Sequence, residues 1–458
     1  MTVPPPSATD VVPFRLAVRA WFAISLQTFG GPAGQIAVMQ RELVDQRRWI
    51  GPKRFQHALN YCMLLPGPEA QQLAIYIGWL LNGTRGGLAA GTLFVLPGVV
   101  AMAVLSSIYV TLGTTSIVTA VLTGLGAAVL AIVAHAVVRV GKRALAHPAL
   151  VGLAIAAFLA LEVFAVPFPL VVLVAGLIGW SFGRWTPQVF ADRPQSAAAG
   201  RPDEQPLISD ELLHVSRPTA GRALKVIGLG LVLWATPVAA LALATGGGSI
   251  LTHQGVFFSG TAVVTFGGAY AVLSYVAQKA VVGFHWLTAS EMVSGLALAE
   301  TTPGPLIMVV QFVAFVAAYR HPGTLDPWLA ATLGSAITVW VTFVPCFLFI
   351  FLGAPYVERL RGNRSVAAAL GGITAAVVGV IANLAVYFAV HILFRTTGRR
   401  TWGPIAIDLP HLDTIRPIAL TVAVIAAVLI FAIKWSVLRT LGVCAAIGLL
   451  LGVTGIHP

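Results

Sequence analysis

Thr28-Phe29-Gly30-Gly31 and Pro66-Gly67-Pro68 return later in the chain as Thr265-Phe266-Gly267-Gly268 and Pro303-Gly304-Pro305. Both returns are displaced by 237 residues (265 − 28 and 303 − 66), and Trp49 and Trp286 keep the same register. Each motif interrupts an apolar stretch, so the chain reads as two copies of one unit broken at the same two places. Interrupted hydrophobic segments in corresponding positions of two halves are the sequence signature of a secondary transporter built from repeats. Unwound backbone at membrane depth is tolerated only where protein buries it or it lines a cavity. The four breaks are therefore the expected substrate site.

Composition agrees with a membrane protein. The 458 residues are 58% hydrophobic and 10% charged, with a mean hydropathy of +0.88, which leaves too little polar surface to cover a soluble globule. Apolar runs of about 20 residues, enough to cross a hydrocarbon core of ~30 Å as helix, recur along nearly the whole length. Runs such as 150–160 and 418–433 do not alternate, which excludes a porin-like barrel. The fold class is all-α: a polytopic membrane helical bundle of two inverted repeats, with broken helices or re-entrant hairpins. Cys62, Cys346 and Cys444 sit alone in apolar segments, so they support neither a disulfide framework nor a metal site, and no cofactor is expected. Arg15 and Arg19 interrupt what would have to be the apolar core of a signal peptide. The formal charge of +12 reads as cytoplasmic loops of a membrane protein, not as a nucleic-acid surface.

Apolar segments fall at roughly 16–29, 55–81, 86–110, 114–138, 147–164 and 166–183, and again at about 224–244, 256–284, 288–318, 325–353, 365–394, 416–433 and 435–456. The organisation that follows is a transport repeat over 1–183, a Pro-rich cytoplasmic linker over 184–223, a connecting transmembrane helix over 224–244 and a second transport repeat over 245–458. The connecting helix has no counterpart in the first half. An odd number of crossings between matching elements turns the second copy over. Charge tests the idea: 41–54 carries Arg41, Arg47, Arg48, Lys53 and Arg54 against Glu42 and Asp45, whereas the register-matched 278–291 carries only Lys279 and Glu291. Cytoplasmic loops collect Lys and Arg, so the first copy of this loop belongs inside and the second outside. The clusters Arg139/Lys142/Arg143 and Arg359/Arg361/Arg364 join the inside set. These assignments agree together if 14–44, 55–82, 256–284 and 288–318 are helical hairpins that enter and leave on one side. Arg395, Arg399 and Arg400 then fall outside, against the rule.

Paired glycines at 30 and 31 permit positive φ and let backbone N–H groups converge, and Pro32 suits the first turn of the helix that follows. Pro66-Gly67-Pro68 stops the helix from Phe55 near Leu65 and restarts it with Glu69, Gln71 and Gln72 in the new first turn. In the second copy Thr301 or Thr302 is expected to cap the next half-helix. Free N–H groups at the positive end of a helix dipole make an anion site. The expected binding set is therefore Gly30, Gly31, Pro32, Pro66, Gly67, Pro68, Gln71, Gly267, Gly268, Thr301, Thr302, Pro303, Gly304 and Pro305. Glu69 and Glu300 are ionisable groups in apolar stretches. They read equally as coupling-proton carriers and as a dipole cap and a vestibule lining. His135 reads as interfacial, Asn383 as interhelical glue, and Arg47, Arg48, Lys53 and Arg54 as topology determinants.

These stretches resemble the chromate ion transporter family in its long-chain, two-domain form. The matching residues are Phe29-Gly30-Gly31-Pro32, Arg48-Trp49-Ile50, the run from His57 through Pro66-Gly67-Pro68-Glu69-Ala70-Gln71-Gln72, Gly78 and Leu96-Pro97-Gly98. In the second half they are Thr265 to Ala271, Trp286-Leu287-Thr288 and Leu296 to Gln311. Gly34-Gln35 departs from the Ala-His pair of many members and leaves any histidine role there empty; Gly268-Ala269 replaces Gly-Pro. The resemblance implies export of chromate from a bacterial cytoplasm through the inner membrane, driven by the membrane potential or proton gradient. It implies no enzyme activity, and no HExxH, GxSxG or paired-acid spacing suggests one. Sulfate is a tetrahedral dianion of similar size and stays open as a substrate, a passive anion channel stays open as a mechanism, and a homodimer stays open as the assembly.

Overall fold

Prolines and short polar side chains open the helices, and the breaks fall where the motifs put them. The computed structural model describes residues 11–190, Ile208, Leu213, 219–266, 268–356, 364–402 and 405–454; most of the expected linker and Gly267 lie outside them. The first half holds α1 (Phe14–Ser25), α2 (Gly31–Gln40), α3 (Pro52–Cys62), α4 (Glu69–Leu112), α5 (Ser116–Ala144), α6 (Pro148–Glu162) and α7 (Phe168–Trp185). After α8 (Ala220–Thr245), the second half repeats the order as α9 (Ile250–Val264), α10 (Ala269–Ala277), α11 (Ala289–Thr301), α12 (Val309–Arg320), α13 (Pro327–Gly353), α14 (Arg364–Leu393), α15 (Pro417–Ala427) and α16 (Val437–Val453). Among the described residues six helices are long and apolar enough to cross a bilayer: α4, α5, α7, α8, α13 and α14. Although α8 is rich in Leu, Ala and Val, it has no fully buried residue, and only side chains such as Trp234, Val238 and Leu241 pack partly against the protein. Such a helix is stable only with lipid around it.

Between α14 and α15 the all-α expectation has one exception, an antiparallel pair of strands, β1 (Thr397–Trp402) and β2 (Ile405–Pro410). Ile405, Ile407 and Leu409 alternate with Ala406 and Asp408, a period-2 pattern that suits a strand and not a helix. Arg399 pairs in register with Asp408, which places one of the outlying arginines in a hairpin.

The repeat extends to backbone geometry. α2 widens into a π-helical segment at Arg41–Gln46 and α10 into one at Gln278–Gly283, at the same displacement of 237 (278 − 41). Each segment ends on a left-handed residue, Arg48 and His285, both at φ 53°. There the Trp49 amide donates to the Leu43 carbonyl at 2.9 Å and the Trp286 amide to Ala280 at 2.7 Å. The turns after α6 and after the π segment that follows α15 form a second pair, with Ala165 and Lys434 at φ 49° and 60°. The bonds Val166 to Ala160 and Trp435 to Leu429, both 2.9 Å, match at a displacement of 269 (434 − 165).

Contacts between the halves come in exchanged pairs. α5 crosses α16 where Gly124 meets Gly448, and α14 crosses α7 where Gly372 meets Gly179. Small residues let helix backbones approach closely in membranes. These two crossings swap the halves while keeping register, 248 for α5 and α14 (372 − 124) and 269 for α7 and α16 (448 − 179). A two-fold relation generates such a pattern.

Two turns reverse the chain sharply. α4 is two antiparallel arms: Asn82 (φ −141°, ψ 28°) and Gly83 (φ 58°, ψ −152°) leave helical geometry. A Cβ on Gly78 would lie 2.6 Å from that of Ala90, whereas one straight helix would hold these residues about 18 Å apart. The second reversal is the α11–α12 hairpin. Gly295 packs on the Phe312 ring, and at the open end Arg320 grips Glu291 with both guanidinium nitrogens, one bond being 3.0 Å. Its tip carries Thr302-Pro303-Gly304-Pro305.

Candidate functional site

At each Gly-Gly break the chain turns through conformations that favour glycine: Gly30 and Gly31 at φ 78° and 72°, and Gly268 at φ 97°. Gly30 is the N-cap of α2, with Pro32 in its first turn. Gly67 (φ 118°) and Gly304 (φ 101°) do the same inside the two Pro-Gly-Pro breaks. Gly267 lies outside the described residues.

Hydrogen bonds tie the four breaks into one cluster. The Gly67 amide donates to the Thr265 carbonyl at 2.8 Å, and the Gly304 amide to the Thr28 carbonyl at 2.9 Å. The two bonds are equivalents under the 237-residue register, each joining a Pro-Gly-Pro of one half to a Gly-Gly of the other. The Gln35 amide, in the first turns of α2, donates to the Gly304 carbonyl. The Tyr270 hydroxyl, in the first turn of α10, donates to Glu300 Oε1, which links the second Gly-Gly break to the second Pro-Gly-Pro. Packing repeats the exchange: Gly98 of α4 lies against Pro303, and Cys346 of α13 against Gly67. Pro66 and Pro68 flank Gly67, and Gln72 donates to the Pro66 carbonyl at 2.6 Å.

This geometry corrects two expectations. The Gly67 and Gly304 amides are engaged with threonine carbonyls, so they are not free donors. Thr301 and Thr302 do not cap the following helix: their hydroxyls turn back to the Leu298 and Ala299 carbonyls at 2.7 and 2.9 Å. The turn from Leu306 to Met308 starts at Pro305 with no side-chain cap. Threonine in a helix often prefers its own preceding turn. Among the described residues the amides without intrahelical partners are those of the first turns, at Gly31 and Ala33, Ala269 to Ala271, Glu69 to Gln71, and Leu306 and Ile307.

Several polar atoms here are buried without hydrogen-bond partners: both ends of the Gln71 amide, Glu300 Oε2, Gln35 Oε1 and Gln72 Oε1. Gln71, Gln35 and Glu300 are almost fully inaccessible, and an unsatisfied buried polar group calls for a ligand, water or ion. Glu69 is half-buried and Glu300 buried. The guanidinium groups of Arg143 and Arg139 on α5 act electrostatically on Glu69, and that of Arg139 also on Glu300 and the Tyr270 hydroxyl. The sequence reading placed Arg139 in a loop cluster and gave no role to Gln35 or Tyr270.

The chromate transporter family model matches residues 16–180 and 253–450. The chromate transport protein of Pseudomonas aeruginosa is 33% identical over 387 residues, 82% of either chain. That of Cupriavidus metallidurans is 27% identical over 376 residues, again 82% of either chain, and the probable chromate transport protein of Synechococcus elongatus is 26% identical over 366 residues, 78% of this chain and 80% of its own. No solved structure matches the chain.

Proposed function

This chain belongs to the chromate transporter family, and from that premise we propose that it exports chromate across the bacterial inner membrane by alternating access between two inverted halves. The observation that carries the reading is the exchanged pair of bonds, Gly67 to Thr265 and Gly304 to Thr28, which brings four helix N-termini of two repeats to one place. The dianion is held by the first-turn amides at Gly31, Ala33 and Ala269 to Ala271, together with the Gln71 side chain. Positive helix ends stabilise it. Pro32 starts α2 in helical geometry, and Pro66, Pro68, Pro303 and Pro305 keep the other two ends unwound. The hydroxyls of Thr301 and Thr302 join only after leaving their carbonyls.

Glu300 and Glu69 couple occupancy to protons. A dianion does not sit beside a bare carboxylate in a low-dielectric site, so the anion loads when Glu300 is a neutral acid. Arg139 adds the opposite charge and draws the anion in.

Purified protein in proteoliposomes should take up labelled chromate saturably, and faster when a pH gradient or membrane potential is imposed. If neither chromate nor sulfate moves, the oxyanion reading falls; preference for sulfate reassigns the substrate, and unsaturable flux indifferent to the gradient makes it a channel. Arg139→Gln should raise the KM for chromate about tenfold, or 1.4 kcal/mol, with a smaller change in maximal rate. An unchanged KM removes Arg139 from the anion path.

A further inference from the structure

A carboxylate that this cycle leaves unused, Glu162 at the end of α6, lies beside the far end of α10. A cavity of about 120 Å³ opens between α6, α14 and α10 with its π segment, and its polar lining is Glu162, Ser274, Gln278, Asn383, Tyr387 and His391. The Asn383 amide nitrogen donates to Glu162 Oε2, and the Ser274 hydroxyl donates to Asn383 Oδ1 at 3.1 Å. A carboxyl among apolar helices is expensive unless paired and wetted, and marks an ion or proton path by default.

The plainer account is interhelical glue, and the sister interface argues against it. The register of 248 sets Asn383 on His135, and that of 269 sets Glu162 on Phe431. In the other half the His135 ring packs edge-on against Phe431 at 5.5 Å. One copy of this crossing is therefore closed by two rings, so packing does not require a carboxylate in the other. Ser274 also stands one turn from Tyr270, the residue bonded to Glu300. Tyr270 and Ser274 share one face of α10 at i and i+4, continued by Gln278 at the start of its π segment, between a carboxyl at the breaks and a carboxyl in the cavity.

We propose that Glu162 is the proton-loading site of the transport cycle, binding a proton from water in this cavity and passing it toward Glu300 along that face of α10. Asn383 turns its N–H toward the carboxylate, an arrangement for a titrating acid; a metal cation would need the amide oxygen there. Among the described residues lining the cavity, the titratable groups beside Glu162 are Tyr387 and His391 of α14, the latter bonded through Nδ1 to the Tyr387 carbonyl at 2.8 Å. α10 and its π segment bring the uncharged Ser274, Gln278 and Val282, and the turn after α6 brings Ala165.

The proposal rests on the transport reading, and full-length protein in proteoliposomes separates their failures. Chromate counterflow at equal pH needs the anion site but no net proton movement; its absence in the unmodified protein defeats the transport reading itself. Given counterflow, Glu162→Gln should keep it while losing at least about tenfold of the stimulation by a pH gradient. Asn383→Leu, which removes a donor to the charged carboxyl, should move the pH of half-maximal uptake upward. Full stimulation in Glu162→Gln, an unmoved profile in Asn383→Leu, loss of counterflow in a normally inserted Glu162→Gln, or drive by a sodium gradient in place of protons would each overturn it.

Discussion

Valine at position 304 is expected to abolish chromate transport, to less than about a tenth of the unmodified rate, while the protein still inserts and accumulates in the membrane. Gly304 sits at φ 101°, where a β-branched residue is an outlier and even ordinary side chains cost about 1–2 kcal/mol. A Cβ there would already be in contact with Gly98 Cα at 3.4 Å, which leaves the two further methyls of valine to crowd that backbone. The backbone must shift, and it carries two ties between the halves, the Gly304 N–H to Thr28 and the Gln35 amide to the Gly304 carbonyl. Two companion changes separate strain from crowding. Gly31→Ala has φ 72° but nothing within 4 Å of the added carbon, so it should slow transport severalfold through the dihedral alone. Gly98→Ala keeps helical geometry but would set a methyl 2.6 Å from the Pro303 carbonyl, and should reproduce the loss seen with valine at 304. Radiolabelled uptake normalised to membrane protein reads all three. Unchanged flux in Gly304→Val would return these glycines to ordinary helix packing.

The places of the breaks were legible because glycine and proline change the backbone itself, so Gly30-Gly31 and Pro66-Gly67-Pro68 announce their geometry wherever they stand. Their partners were not legible. Which carbonyl receives the Gly67 amide depends on how two halves dock, and no local pattern near Thr265 encodes that. The same holds for Tyr270 and Glu300, which lie on different helices. A left-handed turn closed by backbone bonds leaves still less trace: Ala165-Val166-Pro167 and Lys434-Trp435-Ser436 adopt the same turn without sharing a residue. The reversal at Asn82-Gly83 did carry a signal, since Asn-Gly favours turns, but it lay between two apolar segments whose relation only packing decides. Thr301 and Thr302 were misread because a hydroxyl before a break can cap forward or bond backward, and proline at 303 and 305 leaves too few amides ahead to favour the forward choice.

Leucine at position 179 should prevent the halves from assembling, an effect on folding where the change at 304 acts on transport. A Cβ on Gly179 would already stand 2.6 Å from the Ala368 carbonyl and 2.8 Å from Gly372 Cα. Both obstacles are backbone, so no rotamer change relieves them, and α7 must separate from α14 along its length. Overpacking in yielding cores costs typically 1–3 kcal/mol and sometimes more; at a backbone crossing the upper end, about 3 kcal/mol, is the floor to expect. The consequence reaches both halves, because α7 belongs to the first and α14 to the second. Gly124→Leu at the equivalent α5–α16 crossing, where the built carbon lies 3.1 Å from Gly448 Cα, should fail in the same way. Gly442→Leu on α16, with nothing within 4 Å, should be harmless and controls for added bulk. Size-exclusion profiles and trypsin resistance of detergent extracts distinguish these outcomes. If Gly179→Leu yields a monodisperse, protease-resistant protein while Gly124→Leu does not, the two crossings are not equivalent, and the exchange of helices between halves loses its structural basis.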